Sequence, residues 1–468
     1  MADTEGALRT AAQLVAAYKQ GDLSPVEATQ ATLDRIDQLN DTVNAYCLVD
    51  RDAALASARA SEARWRRGEP SGPVDGVPTS IKDMFLTAGW PTLRGSHTVS
   101  EDQNWDEDAP CVARLRETGA VLVGKTTTPE MGWKGVTDSP RTGVTRNPWD
   151  LSKTPGGSSG GSAASVALGM APLSVGTDGG GSVRIPGAFS GVFALKPTYG
   201  RIPIYPPSAF GTLSHAGPMT WTVEDAALLL DVVTGPDGRD WSALPEPVGS
   251  YTGGLGSGVL GRRVAFSPAL GYVDVDPEVA AVVASAVDVL SGLGAQVEER
   301  DPGFTDPIDA FNVLWYSATA KIVEPLSDED RARLDPGFAE VAELGAGYSA
   351  VDYLGANAER MSLGSMMGRF HETYDLLITP TVPIPAFDAG QEVPTGWPHK
   401  RWTSWTPFSY PFNMTQQPAA TVPCGFTSGG LPVGLQIVGP RHADGLVLSA
   451  AKAFEDARPW TDHRPQPA

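Results

Sequence analysis

The chain has 468 residues, 41% hydrophobic and 19% charged, enough apolar material for a sizeable globular core. A formal net charge of −20 excludes the basic footprint that nucleic acid or an anionic membrane surface requires. Three widely spaced cysteines, Cys47, Cys111 and Cys424, form neither a disulfide framework nor a zinc motif.

Reduced thiols and a cytoplasmic, soluble protein are expected. The start, Met1-Ala-Asp-Thr-Glu-Gly, lacks the basic and apolar regions of a secretory leader. No stretch of about 18 apolar residues could span a bilayer.

Residues from about 5 to 70 read as helical. Ser24-Pro-Val-Glu27 is a capping box with proline at the first helical position, and Asp50 to Gly68 reads as a second helix stopped by glycine. Short apolar runs then alternate with helical patterns, which predicts an α/β sheet. The expected strands are Val77–Ile81, Ala120–Val123, Pro172–Val175, Val264–Ser267, Leu376–Thr379 and Leu435–Val438. Val223–Val233 and Val279–Leu293 are the clearest helices between them. Residues 235–262, rich in Gly and Pro, read as a connection within one large domain spanning 1–468. That domain has a motif-bearing core at about 71–234 and a C-terminal part at about 263–455. Residues 381–412 are expected to be a long loop loaded with Pro and Trp.

Two glycine-serine segments carry the chemistry: Thr154-Pro-Gly-Gly-Ser-Ser-Gly-Gly-Ser-Ala-Ala164 and Gly176-Thr-Asp-Gly-Gly-Gly-Ser-Val-Arg-Ile-Pro186. Glycines around Ser158 and Ser182 permit close approach of a substrate. Consecutive N–H groups at Gly179, Gly180, Gly181 and Ser182 could converge as an oxyanion hole. Neither segment has the spacing of a phosphate loop. Gly156-x-Ser158-x-Gly160 matches the nucleophile elbow of α/β-hydrolases, but a loop, Lys153-Thr-Pro155, stands where that elbow needs a strand. The partner it would need is a late histidine such as His442. The other histidines, His97, His215, His371, His399 and His463, show no metal-ligand spacing. The only S-x-x-K, Ser449 to Lys452, falls on a predicted C-terminal helix and is expected at the surface.

Together with Gly76-Val-Pro-Thr-Ser-Ile-Lys82-Asp83, these segments resemble the amidase signature family. The resemblance extends to Gly124-Lys-Thr-Thr-Thr-Pro-Glu-Met131, Leu195-Lys-Pro-Thr-Tyr-Gly200, Gly217-Pro-Met219, Asp375-Leu-Leu-Ile-Thr-Pro380 and Gln417-Pro-Ala-Ala-Thr-Val-Pro-Cys-Gly425. It implies one α/β domain with a large mixed β-sheet between helical layers. It also implies a nucleophile at Ser182, a bridging Ser158 held by a cis Gly157–Ser158 peptide, and Lys82 as base. Gly179, Gly180, Gly181 and Ser182 would supply oxyanion N–H groups, with Ser159 and Asp178 supporting the loops. The implied enzyme needs no cofactor and no metal, and acts on a small amide or carbamate; a homodimer is one form open to it, and the sequence does not set its oligomeric state. A lysine with an ordinary pKa near 10.4 is a poor base at neutral pH, so Lys82 is expected to be buried and neutral.

Within the family the chain looks more like stand-alone aryl acylamidases, urethanases and nylon-oligomer hydrolases than like the glutamine-processing component of tRNA-dependent amidotransferases, whose helical stretch is not apparent around 340–365. Met131, Gly132 and Trp133 are candidate pocket walls, as is the aromatic stretch Trp402, Trp405, Phe408 and Tyr410. Gly179, where relatives often carry a larger side chain, is expected either to widen the space near the acyl carbon or simply to loosen the loop.

Overall fold

Helix formation near the N-terminus follows its capping signals. Glu27 N–H donates to Ser24 Oγ at 3.2 Å and Ser24 N–H donates to the Glu27 carboxylate at 2.8 Å, opening the helix Pro25–Val43. Asp50 caps the helix Arg51–Arg67, and Gly68 closes it at φ 72. The computed structural model describes residues 8–466, so the first residues of the expected helical part and both ends of the 1–468 span lie outside the described residues.

The strands in chain order are β1 (Tyr46–Val49), β2 (Pro78–Lys82), β3 (Val121–Thr126), β4 (Asp138–Ser139), β5 (Gly143–Val144), β6 (Leu173–Asp178), β7 (Phe193–Lys196), β8 (His215–Thr220), β9 (Arg263–Phe266), β10 (Gln296–Glu299), β11 (Leu376–Pro380), β12 (Ala419–Phe426) and β13 (Pro432–Val438). Eleven of them form one mixed sheet in the order β1-β3-β2-β6-β8-β7-β12-β13-β11-β9-β10, and β4 and β5 form a small hairpin. All six expected strands are present. Five strands of the sheet were not expected: β8 and β12, which Gly217, Pro218, Pro423 and Gly425 interrupt; β7, which has only four residues and ends on Lys196; β10, which is mostly polar; and β1, which falls within the stretch 5–70 read as helical. Strands from both sides of residues 235–262 enter the same sheet.

Period-two alternation divides the core between the faces of the sheet. On β11, Leu376 and Ile378 join one apolar cluster and Leu377 another. The first cluster holds the helices Val223–Val233, Pro277–Gly292 and Asp444–Ala457. The second holds the helices Ile308–Val323, Pro336–Ala346 and Ala350–Phe370. Residues 381–412 are less open than expected: Trp402–Trp405 forms a 3-10 turn, and Trp402, Trp405, Phe408 and Tyr410 are buried in the second cluster. Burial of these rings turns a loop into core. No helix among the described residues is long and apolar enough to cross a membrane.

The helices Ile308–Val323 and Pro336–Ala346 touch at Gly345, where an added Cβ would lie 1.8 Å from the Tyr316 carbonyl oxygen. Gly345→Ala must push these helices apart and is expected to cost about 1–3 kcal/mol. A lower urea midpoint at unchanged slope is the expected reading; an unchanged midpoint would show that this crossing is not closely packed.

Candidate active site

β2 runs parallel to β3 on one side and to β6 on the other, and the loops beyond the C-terminal ends of these strands converge, where ligand sites form in such sheets. Lys82 is the last residue of β2 and fully buried. Its Nζ lies 2.7 Å from Ser158 Oγ, 2.9 Å from Ser159 Oγ and 2.7 Å from Thr177 Oγ1. Burial drives its pKa well below the ordinary 10.5, and the opposing pull of the Asp178 charge does not offset this. Three neutral hydroxyls solvate the amine without adding a charge that would fix its proton.

Ser158 and Ser159 sit in a turn pinned from both sides. Thr137 Oγ1 donates to the Gly156 carbonyl at 2.8 Å and accepts from Gly160 N–H at 3.0 Å. The Gly157–Ser158 peptide is cis. A Cβ at Gly157 would lie 2.4 Å from the Val136 backbone, so only glycine fits. Ser159 N–H donates to the Ser182 carbonyl at 3.0 Å, and its hydroxyl donates to the Thr177 carbonyl at 3.1 Å. The two glycine-serine loops are thereby joined at the lysine.

Asp178, the last residue of β6, organises the loop bearing Ser182. It accepts from Gly181 N–H at 2.8 Å and Val183 N–H at 3.2 Å. Arg184 Nε and Nη2 reach its two carboxylate oxygens at 2.9 and 3.0 Å, and Asn413 Nδ2 donates to it at 2.8 Å. Burial alone would raise its pKa, but the Arg184 charge and hydrogen bonds outweigh that and hold it well below the carboxylate range. Gly181 adopts φ 125, a backbone region open mainly to glycine. Because Gly181 N–H is spent on Asp178, the four expected oxyanion donors reduce to Gly179, Gly180 and Ser182, whose N–H groups have no acceptor among the described residues.

Ser158, Ser182, Thr177 and Gly179 open on a cavity of about 360 Å³. Its walls are largely apolar: Met84, Phe85, Tyr205, Phe210, Trp315, Ile322 and Leu326. Met131 and Gly132 line it as expected, and a Cβ on Gly132 would be 3.4 Å from Ser158 Oγ. Trp133 does not line it. That ring is fully buried and packs on Phe338 at 6.0 Å, while its carbonyl accepts from Trp315 Nε1 at 3.1 Å.

Trp402, Trp405, Phe408 and Tyr410 likewise lie behind the site. Gly179 does not widen the cavity, because a Cβ there would meet Trp315 Cζ3 at 2.9 Å: the indole occupies the space the missing side chain leaves. Phe210 stacks on Trp315 with ring centroids 3.9 Å apart. His442 borders a different cavity, beside residues 245–251, which removes the nucleophile-elbow geometry. Ser449 is buried, not at the surface, because its helix packs that face on the core. No group of His, Cys, Asp or Glu among the described residues is arranged to hold a metal ion.

Thr177, Arg184, Asn413 and Trp315 were not identified from sequence. Arg184 had a signal: a lone charge within Ser-Val-Arg-Ile-Pro must find a partner if that stretch is buried. Removing one member of such a pair leaves the other charge uncompensated. Arg184→Ala is therefore expected to cost about 3–5 kcal/mol, measured by urea denaturation. A loss below about 1 kcal/mol would mean that Asn413 and the loop N–H groups suffice for Asp178.

A family model described as Amidase matches residues 27–448. An acylamidase from Rhodococcus erythropolis is 39% identical over 464 residues, covering 97% of each chain. The A component of the glutamyl-tRNA(Gln) amidotransferase from Myxococcus xanthus is 37% identical, over 95% of this chain and 96% of that one. The crystal structure of a bacterial aryl acylamidase of the amidase signature enzymes superposes with a TM-score of 0.91 at 32% identity, covering 97% of each chain. With this sheet, these paired loops and matches across nearly its whole length, the chain belongs to the amidase signature family of hydrolases acting on carbon–nitrogen bonds.

Proposed function

We propose that the protein hydrolyses aryl amides through an acyl-enzyme on Ser182, with Lys82 as base and Ser158 as proton relay. The observation that carries this reading is the fully buried Lys82 amine, 2.7 Å from a serine that shares a cavity with Ser182. A neutral amine takes the Ser158 proton as Ser158 takes that of Ser182, so the alkoxide forms as it attacks the carbonyl. Negative charge develops on the carbonyl oxygen, where the free N–H groups of the Gly179–Ser182 turn can meet it. The same relay in reverse protonates the leaving amine, and water then attacks the ester of Ser182.

Apolar walls and the stacked Phe210–Trp315 pair favour an aromatic substituent, worth about 0.5–1.5 kcal/mol per ring pair beyond area burial. The structural neighbour described as an aryl acylamidase supports that class, and the acylamidase relative supports amide hydrolysis. Aryl carbamates and aryl esters offer Ser182 the same tetrahedral chemistry, and a carbamate then releases carbon dioxide. A second reading, an amidotransferase component releasing ammonia from glutamine within an assembly, is favoured by the relative of that kind. The cavity speaks against it, since its one charged lining residue, Arg94, could meet the carboxylate of glutamine but no acidic residue lines it to meet the ammonium.

A fluorophosphonate probe should label Ser182 alone, and Ser182→Ala should lose both label and turnover. Undiminished labelling of that variant would overturn the nucleophile. Because the pKa of Lys82 is depressed, its base form persists well below pH 10.5 and is lost as pH falls through the depressed value. Activity should accordingly rise with pH through one ionisation to a plateau, and Lys82→Ala should lose at least about 100-fold in kcat. In a screen of anilides, aryl esters, aryl carbamates, short aliphatic amides and glutamine, the aryl compounds should have the highest kcat/KM. Glutamine at the top of that ranking would select the second reading.

A further inference from the structure

Among the residues lining the catalytic cavity, Arg94 is the only charged one. It shares a wall with Met84, Phe85, Thr98 and Val99, and its guanidinium has no ion-pair or hydrogen-bond partner among the described residues. Arg94 Nε is buried with nothing to donate to. Asp83, the carboxylate that acts on it electrostatically, is already held by Lys125 Nζ at 3.2 Å. A half-buried cation without an acceptor is costly unless something supplies one.

The backbone points the same way. Arg94 sits at φ 54, in the left-handed region that non-glycine residues seldom adopt. Its carbonyl accepts from Met131 N–H at 2.8 Å, and Met131, at φ 52, lines the same cavity. Two strained residues, bonded to each other on one cavity wall, fit the pattern in which such conformations collect at ligand clamps. Gly95 makes the turn possible: at φ 64, a Cβ there would lie 2.6 Å from the Thr128 carbonyl oxygen.

From this juxtaposition we infer that Arg94 determines specificity by binding a carboxylate on the substrate, remote from the scissile bond, so that preferred substrates are amides bearing one acidic end. The inference rests on the amidase reading above and refines its substrate class. Guanidinium and carboxylate match as planar, bidentate partners. The aromatic wall and the cation give the cavity two different recognition elements, which suits an aryl or alkyl amide with an acid at one end.

Two matched pairs of substrates test it. On the leaving-group side, 4-acetamidobenzoate is compared with 4-acetamidobenzamide; on the acyl side, N-succinyl-4-nitroaniline is compared with its terminal primary amide. In the unaltered enzyme, the acid of at least one pair should exceed its neutral partner in kcat/KM by about 10- to 100-fold. The difference should fall mainly in KM, since the contact exists in ground and transition states alike. In Arg94→Met that ratio should collapse to near one, and Arg94→Lys should retain part of it as a point charge.

Calorimetric binding of the same acids to Ser182→Ala reads the contact without turnover. Arg94→Met in that background should weaken the preferred acid by a similar factor. Absence of any acid preference in the unaltered chain, by rate and by binding, overturns the inference, as does a preference that survives Arg94→Met. The two readings fail separately. Neutral anilides turned over with no acid preference would remove only the role of Arg94. Acid binding lost in Arg94→Met while no amide is cleaved would remove only the aryl amidase reading.

Discussion

The ion pair between Asp178 and Arg184 is wholly buried, and the loop that carries Ser182 is folded around it. Arg184 also donates to the Ser409 carbonyl at 2.9 Å, to Gln436 at 2.8 Å and to Asn413 at 2.6 Å. Asp178 accepts from the loop's own N–H groups. The pair is thus surrounded by hydrogen-bond partners, the condition under which a buried pair is tolerated in a low-dielectric interior. One consequence is geometric: the Ser182 loop, the end of β6 and the chain around 409–436 are tied to one another. Another is electrostatic, because a fixed negative charge is held near the buried Lys82 amine.

That lysine lives under two opposed pressures. Burial favours the neutral amine, while Asp178 favours the ammonium. Burial wins because the carboxylate is committed to Arg184 and only hydroxyls touch Nζ. Lys125, on the neighbouring strand β3, makes the contrast plain. Its amine is equally buried but pairs directly with Asp83 at 3.2 Å, a charge partner that Lys82 does without. Burial lowers the pKa of both lysines, but well below the ordinary value only at Lys82, which has no carboxylate in contact with its nitrogen.

The candidate reacting groups come from one part of the chain, while the cavity walls combine that part with distant ones. Lys82, Ser158, Ser182 and the Gly179–Ser182 turn lie between residues 82 and 182. The walls draw on 84–99 and Met131 within that span, and on residues 204–210 and the helix Ile308–Val323 beyond it. Trp315 joins the two by packing into the space beside Gly179. Changes in the distant helix can reshape the cavity without touching the reacting groups.

The sequence by itself pointed to the candidate catalytic centre: Ser158 and Ser182 stand out in compact glycine-rich segments, and Lys82, Ser159 and Asp178 follow from the resemblance that those segments and the β2 motif carry. It also indicated the capped helices at Ser24 and Asp50 and six strands with short, mainly apolar runs, because caps and periodicity are short-range signals. Tertiary structure decided what depends on contacts between residues hundreds of positions apart. It turned Trp133 and the rings at 402–410 into core and brought Trp315 and Phe210 into the cavity. It diverted Gly181 N–H to Asp178, and it left Arg94 on the cavity wall without a partner. An aromatic or an arginine reads the same in sequence whether it packs inward or lines a cavity; only the neighbours that burial brings to it decide which.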